Sequence, residues 1–298
     1  MAHPDDPDDP DDPDERVRVP RRGLALPDPR AATTGADEFG RLAALAGAAE
    51  AAGFDSVWVA DGPPPAGVER PGGESVFEPY SLLGALAVRT QRVALAVLPD
   101  GPTSRRPSIV AKVVTGVDVI AHGRAVLALG VGPASDAEAA GRLAEELQIC
   151  RALLVEDAPT FVGAYHQIVD APNRPRPVHA AGPALVVAAD RPEVLDPVAR
   201  YADALVVAGD AAAVGRMARA LGSACDGVGR PRDGMVVLWS GTLDLRSDGG
   251  ADRLEEELRS LAEAGADGFV VDLGEADGPE AVARAGEVLG RVAARTGG

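Results

Sequence analysis

Eight apolar segments of strand length recur along this chain, and each is followed by a segment with helical periodicity. They lie at residues 22–27, 55–60, 92–98, 124–130, 184–189, 203–208, 234–240 and 267–272. Strands that alternate with helices form parallel sheets, because each helix returns the chain to the same edge of the sheet. Eight such units close a barrel. The sequence therefore predicts an α/β fold, a single (β/α)8 TIM barrel.

One short insertion interrupts this alternation between the fourth helix and the fifth strand. The segment from Pro159 to Asp170 alternates apolar and polar residues around Gly163. This pattern favours a β-hairpin. A proline-rich stretch at 172–183 then returns the chain to the barrel.

The first residues of the chain have a different composition. Residues 1–15 hold eight acidic residues and no lysine or arginine, in a Pro-Asp-Asp repeat. Such a segment buries little apolar area and repels itself, so we expect it to be disordered. We therefore divide the chain into an Asp/Pro-rich tail at 1–20 and a barrel domain at 21–298. A solubilising role is favoured for the tail over a docking arm.

The charge of the whole chain limits its partners. The formal net charge is -17, and the eight tail acids leave -9 for the remainder. An acidic body without a basic stripe disfavours nucleic acid and anionic membranes as partners. The sequence has no apolar run that could cross a bilayer and no basic start followed by an apolar stretch. We therefore expect a cytoplasmic protein.

Cysteine and histidine give no sign of a metal site or a catalytic triad. Cys150 and Cys225 lie far apart and match no metal-ligand or redox spacing. The four histidines, at positions 3, 122, 166 and 179, lie neither at ligand spacing from acids nor at the predicted C-terminal end of a strand. We expect no bound metal.

The passage from Ser104 to Gly132 is the most specific in the sequence. It contains SRRPSIVAK, then VDVI, then GRAVLALGVG, which indicates a loop, a helix, a glycine turn and a strand that runs into a glycine-rich loop. AAGFDSVWVAD at 51–61 and AGADGFVVD at 264–272 share a helix-glycine-strand pattern. Together these passages resemble the luciferase-like family of flavin- and deazaflavin-dependent oxidoreductases, from about residue 21 to the last helix.

The resemblance implies an activity and a cofactor. Reduced FMN or the 8-hydroxy-5-deazaflavin coenzyme would deliver hydride to a small organic substrate or activate oxygen for monooxygenation. Because the cofactor-binding motifs depart from the family pattern, the alternative that the protein binds no cofactor stays open. Members of the family are often dimers, so we expect a homodimer, and the apolar helical face at 43–52 could form the interface or cover the barrel.

Candidate site residues follow from the rule that chemistry in such barrels lies at the C-terminal ends of the strands. The catalytic candidates are Asp28, Asp61 and Asp100, which follow strands one, two and three. The cofactor-binding candidates are Gly62, Leu98, Pro99, Gly130, Gly132 and Arg191. Pro99 allows the bulged or cis peptide that the resemblance implies at this point. Further strand-end residues to weigh are Asp190, Asp210, Ser240 and Asp272.

Two departures from the family pattern affect these candidates. Gly62 stands where deazaflavin-using relatives often have histidine, and glycine cannot donate a proton. Asp61 could hold a substrate hydroxyl or ring nitrogen, or it could cap the following turn. After strand five, Asp190 and Glu193 replace a Gly-Gly-Ser-like turn and predict a capping box, whose carboxylates would repel a phosphate.

Three arginines have two interpretations each. Arg191 could bind the phosphate with its guanidinium or lie exposed on the first helical turn. Arg105 and Arg106 could neutralise an anionic substrate or cofactor, or pair with Asp100 at the rim, and the structural interpretation is favoured. The leading function is thus a luciferase-like oxidoreductase. The alternative is a catalytically inactive barrel that acts as a partner subunit or small-ligand binder.

Overall fold

The computed structural model describes residues 19–27, 35–61, 77–99, 101, 103, 105–131, 137–245, 250–274 and 278–296. Eight parallel strands close into a barrel, in which each strand pairs with the next along the chain and the last pairs with the first; two further short strands, numbered five and six, lie outside it. Their bounds are Arg22–Ala25 (β1), Ser56–Asp61 (β2), Ala94–Pro99 (β3), Ala125–Gly130 (β4), Ala184–Ala188 (β7), Ala204–Ala208 (β8), Val236–Thr242 (β9) and Gly268–Asp272 (β10). The predicted TIM barrel is confirmed, with every strand where the sequence places it.

Helices cover the outside of this barrel. Those of the described residues are Gly35–Ala51 (α1), Pro79–Ala87 (α2), Pro107–Ile120 (α3), Ala137–Val155 (α4), Leu195–Tyr201 (α5), Ala211–Val228 (α6), Gly250–Glu263 (α7) and Pro279–Thr296 (α8). The predicted hairpin is formed by two short antiparallel strands, Phe161–Val162 (β5) and Gln167–Ile168 (β6).

The N-terminal ends of the strands share a polar contact that fixes the register of the sheet. In three places an aspartate directly before a strand accepts a backbone N–H at the start of the preceding strand: Asp55 from Arg22 at 2.7 Å, Asp203 from Leu185 at 2.8 Å and Asp267 from Val237 at 2.8 Å. A carboxylate acceptor makes such hydrogen bonds stronger than neutral ones. Before β4 the position is occupied by Arg124, which donates to the carbonyl oxygen of Val93 at 2.6 Å.

The interior of the barrel is filled by one large ring among small side chains. Trp58 is fully buried there, and its neighbours are mostly alanine and valine, namely Ala96, Val126, Ala128, Ala184, Val186, Ala204, Val206, Leu238 and Val270. Trp58 Nε1 donates to Ser56 Oγ at 2.9 Å. Gly23 leaves room for the indole, because a Cβ there would lie 2.6 Å from Nε1. The interior is therefore a packed core.

The hairpin packs on the outer side of α4. The Glu145 carboxylate accepts backbone N–H groups from Ala164, Tyr165 and His166 at 2.6, 2.9 and 2.8 Å. The guanidinium of Arg142 lies 4.6 Å from the centre of the Tyr165 ring. Charge-assisted hydrogen bonds thus hold the tip of the hairpin against the helix.

The predicted tail, residues 1–20, lies mostly outside the described residues. Of its last residues, Pro20 is buried and Val19 packs against the interior cluster; the division at residue 20 stays a prediction. None of the helices described in this structure is long and apolar enough to span a membrane.

Candidate active site at the barrel mouth

The C-terminal ends of the strands form the mouth of the barrel, and strand alternation decides which side chains face inward there. Leu98 of β3 and Ala188 of β7 pack against the interior cluster. By the two-residue period, Ala60, Gly130, Ala208, Ser240 and Asp272 share that inward register on their own strands. The described rim is therefore mostly small and apolar, with polar groups on β9 and β10.

Asp272 is the inward-register carboxylate at the end of the last strand. Its Oδ1 accepts the Gly274 N–H at 2.8 Å, and its Oδ2 lies 3.5 Å from Thr242 Oγ1 on β9. The sequence analysis weighed Asp272 only as one of several strand-end residues. The signal that distinguishes it is its two-residue spacing from Val270, which is buried in the interior.

Asp61 has the opposite register, because Ala60 takes the inward one. Its Oδ2 lies 2.6 Å from Arg105 Nη1, and Arg105 Nη2 lies 2.8 Å from Glu78 Oε1. The guanidinium also lies 5.0 Å from the centre of the Tyr80 ring. Arg105 therefore links the end of β2, through Asp61, to the start of α2, through Glu78.

The charges in this cluster stabilise one another. Partial burial opposes the charge of Arg105, but the hydrogen bond and charge of Asp61, together with Glu78, raise the pKa of the guanidinium. Burial raises the pKa of the Tyr80 phenol. Arg105 thus has the structural role that the sequence favours, but its partners are Asp61 and Glu78, and the expected partner, Asp100, lies outside the described residues. The catalytic role of Asp61 stays a prediction.

Gly130, a cofactor-binding candidate, lies against the chain's own backbone. A Cβ at this position would overlap the carbonyl oxygen of Gly101 and would lie 2.8 Å from Pro99 Cβ. Packing against the segment that follows β3 therefore accounts for the glycine. Its proposed contact with a cofactor stays a prediction.

The end of β3 diverges from β4. Within the described residues these two strands pair only at Leu95–Ala125 and Ala96–Val126. Among the described residues the cis peptide bond is Arg174–Pro175, so Leu98–Pro99 does not adopt the cis form that Pro99 would allow.

The predicted capping box after β7 is wrong. A short 3-10 helix begins at Pro192, and its N-cap is Arg191, without a side-chain capping bond. Proline suits the first helical position and has no N–H to be capped, so the helix starts beyond Asp190. Asp190 is 79% exposed, and its Oδ1 lies 3.5 Å from Arg191 Nε. The Arg191 side chain is only 22% exposed, which differs from a freely exposed arginine.

Four further candidates, Asp28, Gly62, Asp100 and Gly132, lie outside the described residues. Their assigned roles stay predictions. Within the described ranges, no group of three histidine, cysteine, aspartate or glutamate residues could hold a metal ion.

A second titratable cluster lies on the outer side of the barrel, between α4 and the hairpin. His166 Nε2 is 3.4 Å from Glu146 Oε1. Burial raises the pKa of Glu146 to about 7, against the effect of Arg142, and burial lowers the pKa of His166. Sequence analysis missed this pair because it depends on how the hairpin folds back on the helix.

Comparisons with known proteins agree with this architecture. The model of the luciferase-like monooxygenase family matches residues 21–295. An F420-dependent glucose-6-phosphate dehydrogenase from Amycolatopsis mediterranei is 33% identical over 175 residues, which cover 51% of each chain. The present chain spans about half the length of the curated relatives that it matches.

Two solved structures share the fold at low identity. A coenzyme F420-dependent tetrahydromethanopterin reductase from Methanopyrus kandleri has a TM-score of 0.73 at 16% identity, covering 92% of this chain and 99% of the other. The oxygenating constituent of a Baeyer–Villiger monooxygenase from Pseudomonas putida, in complex with FMN, has a TM-score of 0.67 at 15% identity, covering 91% and 98%. Similarity at this level shows the fold alone.

Proposed function

The chain belongs to the luciferase-like monooxygenase family, and on this basis we propose that it transfers hydride between the deazaflavin coenzyme F420 and a small organic alcohol or carbonyl compound. The curated relatives that it matches are named as F420-dependent dehydrogenases, which supports the deazaflavin over FMN. Because the match covers only about half the length of these relatives, the cofactor and the substrate class are part of the proposal.

The observation that carries the proposal is the shape of the mouth. Ala60, Leu98, Ala188 and Ala208 place small or apolar side chains along the inward register of four strands, above the buried ring of Trp58. Small side chains at these strand ends favour a planar tricyclic ring over this part of the rim. Arg191, which follows β7, is a described cation near this rim that fits the anionic part of a cofactor.

The coenzyme supplies a ring carbon that accepts or donates hydride. The residues of this chain position the substrate and move its proton. Asp272, held by the Gly274 N–H, accepts the hydroxyl proton as the alcohol carbon loses hydride and becomes a carbonyl carbon. In the reverse direction it returns that proton. Thr242 and Ser240, on the neighbouring strand, orient the substrate oxygen, and the apolar residues exclude water.

A second candidate function is a barrel that binds a small ligand without catalysing its conversion. The observation that favours it is the ion pair of Asp61 with Arg105, which occupies a carboxylate at the end of β2. FMN-dependent monooxygenation is a third candidate within the same family.

A homodimer, as the resemblance implies, stays part of the proposal and is tested by the sedimentation of the purified chain.

Binding of the cofactor is tested by titrating the full chain with F420 and, separately, with FMN, while coenzyme fluorescence is followed. We expect micromolar binding of F420 and weaker binding of FMN. Arg191→Ala should weaken F420 binding about tenfold, the loss of one charge-assisted hydrogen bond. Arg216→Ala, on the exposed side of α6, is the control and should leave binding unchanged. Failure to bind either coenzyme would reject the oxidoreductase.

A further inference from the structure

A large cavity lies at the opposite end of the barrel, where the strands begin. Its volume is about 980 Å³. Four arginines and two aspartates line it, namely Arg21, Arg22, Arg92, Arg124, Asp55 and Asp267. Val19 and Phe269 contribute apolar surface. We call it the basal cavity. It is separated from the mouth by the packed interior around Trp58.

The two aspartates of the basal cavity already have partners. Asp55 accepts the Arg22 N–H at 2.7 Å, and Asp267 accepts the Val237 N–H at 2.8 Å. Their carboxylates also lie near guanidinium groups, Asp55 at 3.8 Å from Arg22 Nε and Asp267 at 3.5 Å from Arg232 Nη2. Both aspartates therefore stabilise the first residues of the strands.

The arginines are less fully neutralised. Arg21 and Arg92 are exposed, and within the described part of the chain neither guanidinium has a carboxylate at ion-pair distance. The Glu50 carboxylate, which accepts the Arg92 backbone N–H, offsets part of the charge of Arg92. Arg92 Nη2 donates to the Glu50 carbonyl oxygen at 3.1 Å. Arg124 donates to carbonyl oxygens, and burial lowers its pKa. The basic residues that line the basal cavity thus outnumber the acidic ones, on a protein whose net charge is -17.

The chain enters the barrel at this cavity. Val19 lies in its wall, and the preceding residues include the eight acids of 1–15. We propose that the acidic segment 5–15 of this same chain docks in the basal cavity and pairs its carboxylates with Arg21, Arg22 and Arg92. Asp14 and Glu15 are within five residues of Val19, a reach of at most about 18 Å.

Tethering makes this docking favourable although each ion pair is weak. An exposed pair contributes about 0 to 1 kcal/mol. A short linker, however, raises the effective concentration of the segment to the millimolar range. Its prolines also stiffen the segment, so less conformational entropy is lost. Since the attraction is electrostatic, it must weaken as salt screens the charges.

Paramagnetic NMR on the full chain tests the docking. A nitroxide is attached at Pro10→Cys; the native thiols, Cys150 and Cys225, are buried. At low salt we expect the amide signals of Gly123 and Gly268, which line the cavity, to lose intensity, and that of Gly209, after β8, to keep it. The lost intensity should return in about 1 M NaCl, where the Debye length is about 3 Å.

Substitutions separate docking from chance proximity. The double variant Arg21→Glu and Arg92→Glu should restore the signals, whereas Arg216→Glu with Arg284→Glu, on exposed positions of α6 and α8, should not. Replacing the eight tail acids by Asn and Gln leaves the barrel intact and should also restore them. Unchanged signals at low salt, broadening that survives these variants, or broadening at Gly209 would overturn the proposal. The test does not depend on cofactor binding.

Discussion

Nη1 of Arg105 lies 2.6 Å from Oδ2 of Asp61, so a catalytic candidate of the sequence is bound to a cation from the segment before α3. The same guanidinium binds Glu78 at the start of α2. Neighbouring βα segments are thereby joined beside the barrel mouth. This relationship gives Asp61 a role in maintaining the rim.

Replacing Arg105 should destabilise the rim. Arg105→Ala removes two charge-assisted hydrogen bonds and the contact with Tyr80, and we expect it to lower the free energy of unfolding by about 1 to 3 kcal/mol. Arg89→Ala, at an exposed position after α2, is the control and should change it by no more than about 0.5 kcal/mol. Chemical denaturation measures both. Equal effects of the two variants would show that the cluster does not stabilise the rim.

Asp272 and Asp61 should respond differently to the same chemical change. Asp272→Asn should lower kcat by about 10² or more, because the group that exchanges the substrate proton is lost. Asp61→Asn should mainly reduce stability. Steady-state kinetics, with coenzyme affinity measured in parallel, compares them. The reverse order of effects would return the catalytic role to Asp61.

Substitution by alanine should change the stability in opposite directions at Gly130 and Gly84. Gly130→Ala forces a Cβ against Gly101 and Pro99, and we expect it to cost about 1 to 3 kcal/mol of stability. Gly84→Ala, within α2 and with open space around its Cβ, should stabilise by about 0.5 to 1 kcal/mol. Thermal unfolding of both variants provides the comparison. Stabilisation by Gly130→Ala would contradict the packing described for β4.

Glu146 should make stability depend on pH. Burial raises its pKa from 4.5 to about 7, so the folded protein retains a proton that the unfolded chain has lost. This contribution is fully present below pH 4.5 and is lost as the pH rises through about 7.

The variant Glu146→Gln isolates this contribution. Relative to the variant, the unsubstituted protein should lose stability on the order of 2 kcal/mol across that pH window. Urea denaturation at several pH values measures the difference, with Glu287→Gln on the exposed side of α8 as the control. A difference that is independent of pH would contradict the burial of this carboxyl.

The barrel could be predicted from sequence because its signals are local and repeated. The helix-glycine-strand pattern at 51–61 and 264–272 predicts strands that the structure confirms as β2 and β10. The two-residue period of a strand is also a local signal, and it assigns Asp272 and Asp61 to opposite faces of the barrel wall. The Arg105 partners were not predictable, because residues 61, 78 and 105 meet only when three βα units are assembled. The capping box failed because Pro192 sets the helix start more strongly than the polar pattern does.

Hydride transfer itself tests the proposed function most directly. The full chain is mixed with oxidised F420 and small secondary alcohols, and the absorbance of the deazaflavin is followed, with Asp272→Asn in parallel. We predict that an alcohol bleaches the coenzyme and yields its carbonyl product, and that the variant binds F420 but reacts at least about 10²-fold more slowly. Bound coenzyme that no alcohol reduces and no carbonyl compound reoxidises would contradict the proposed reaction and favour the non-catalytic barrel.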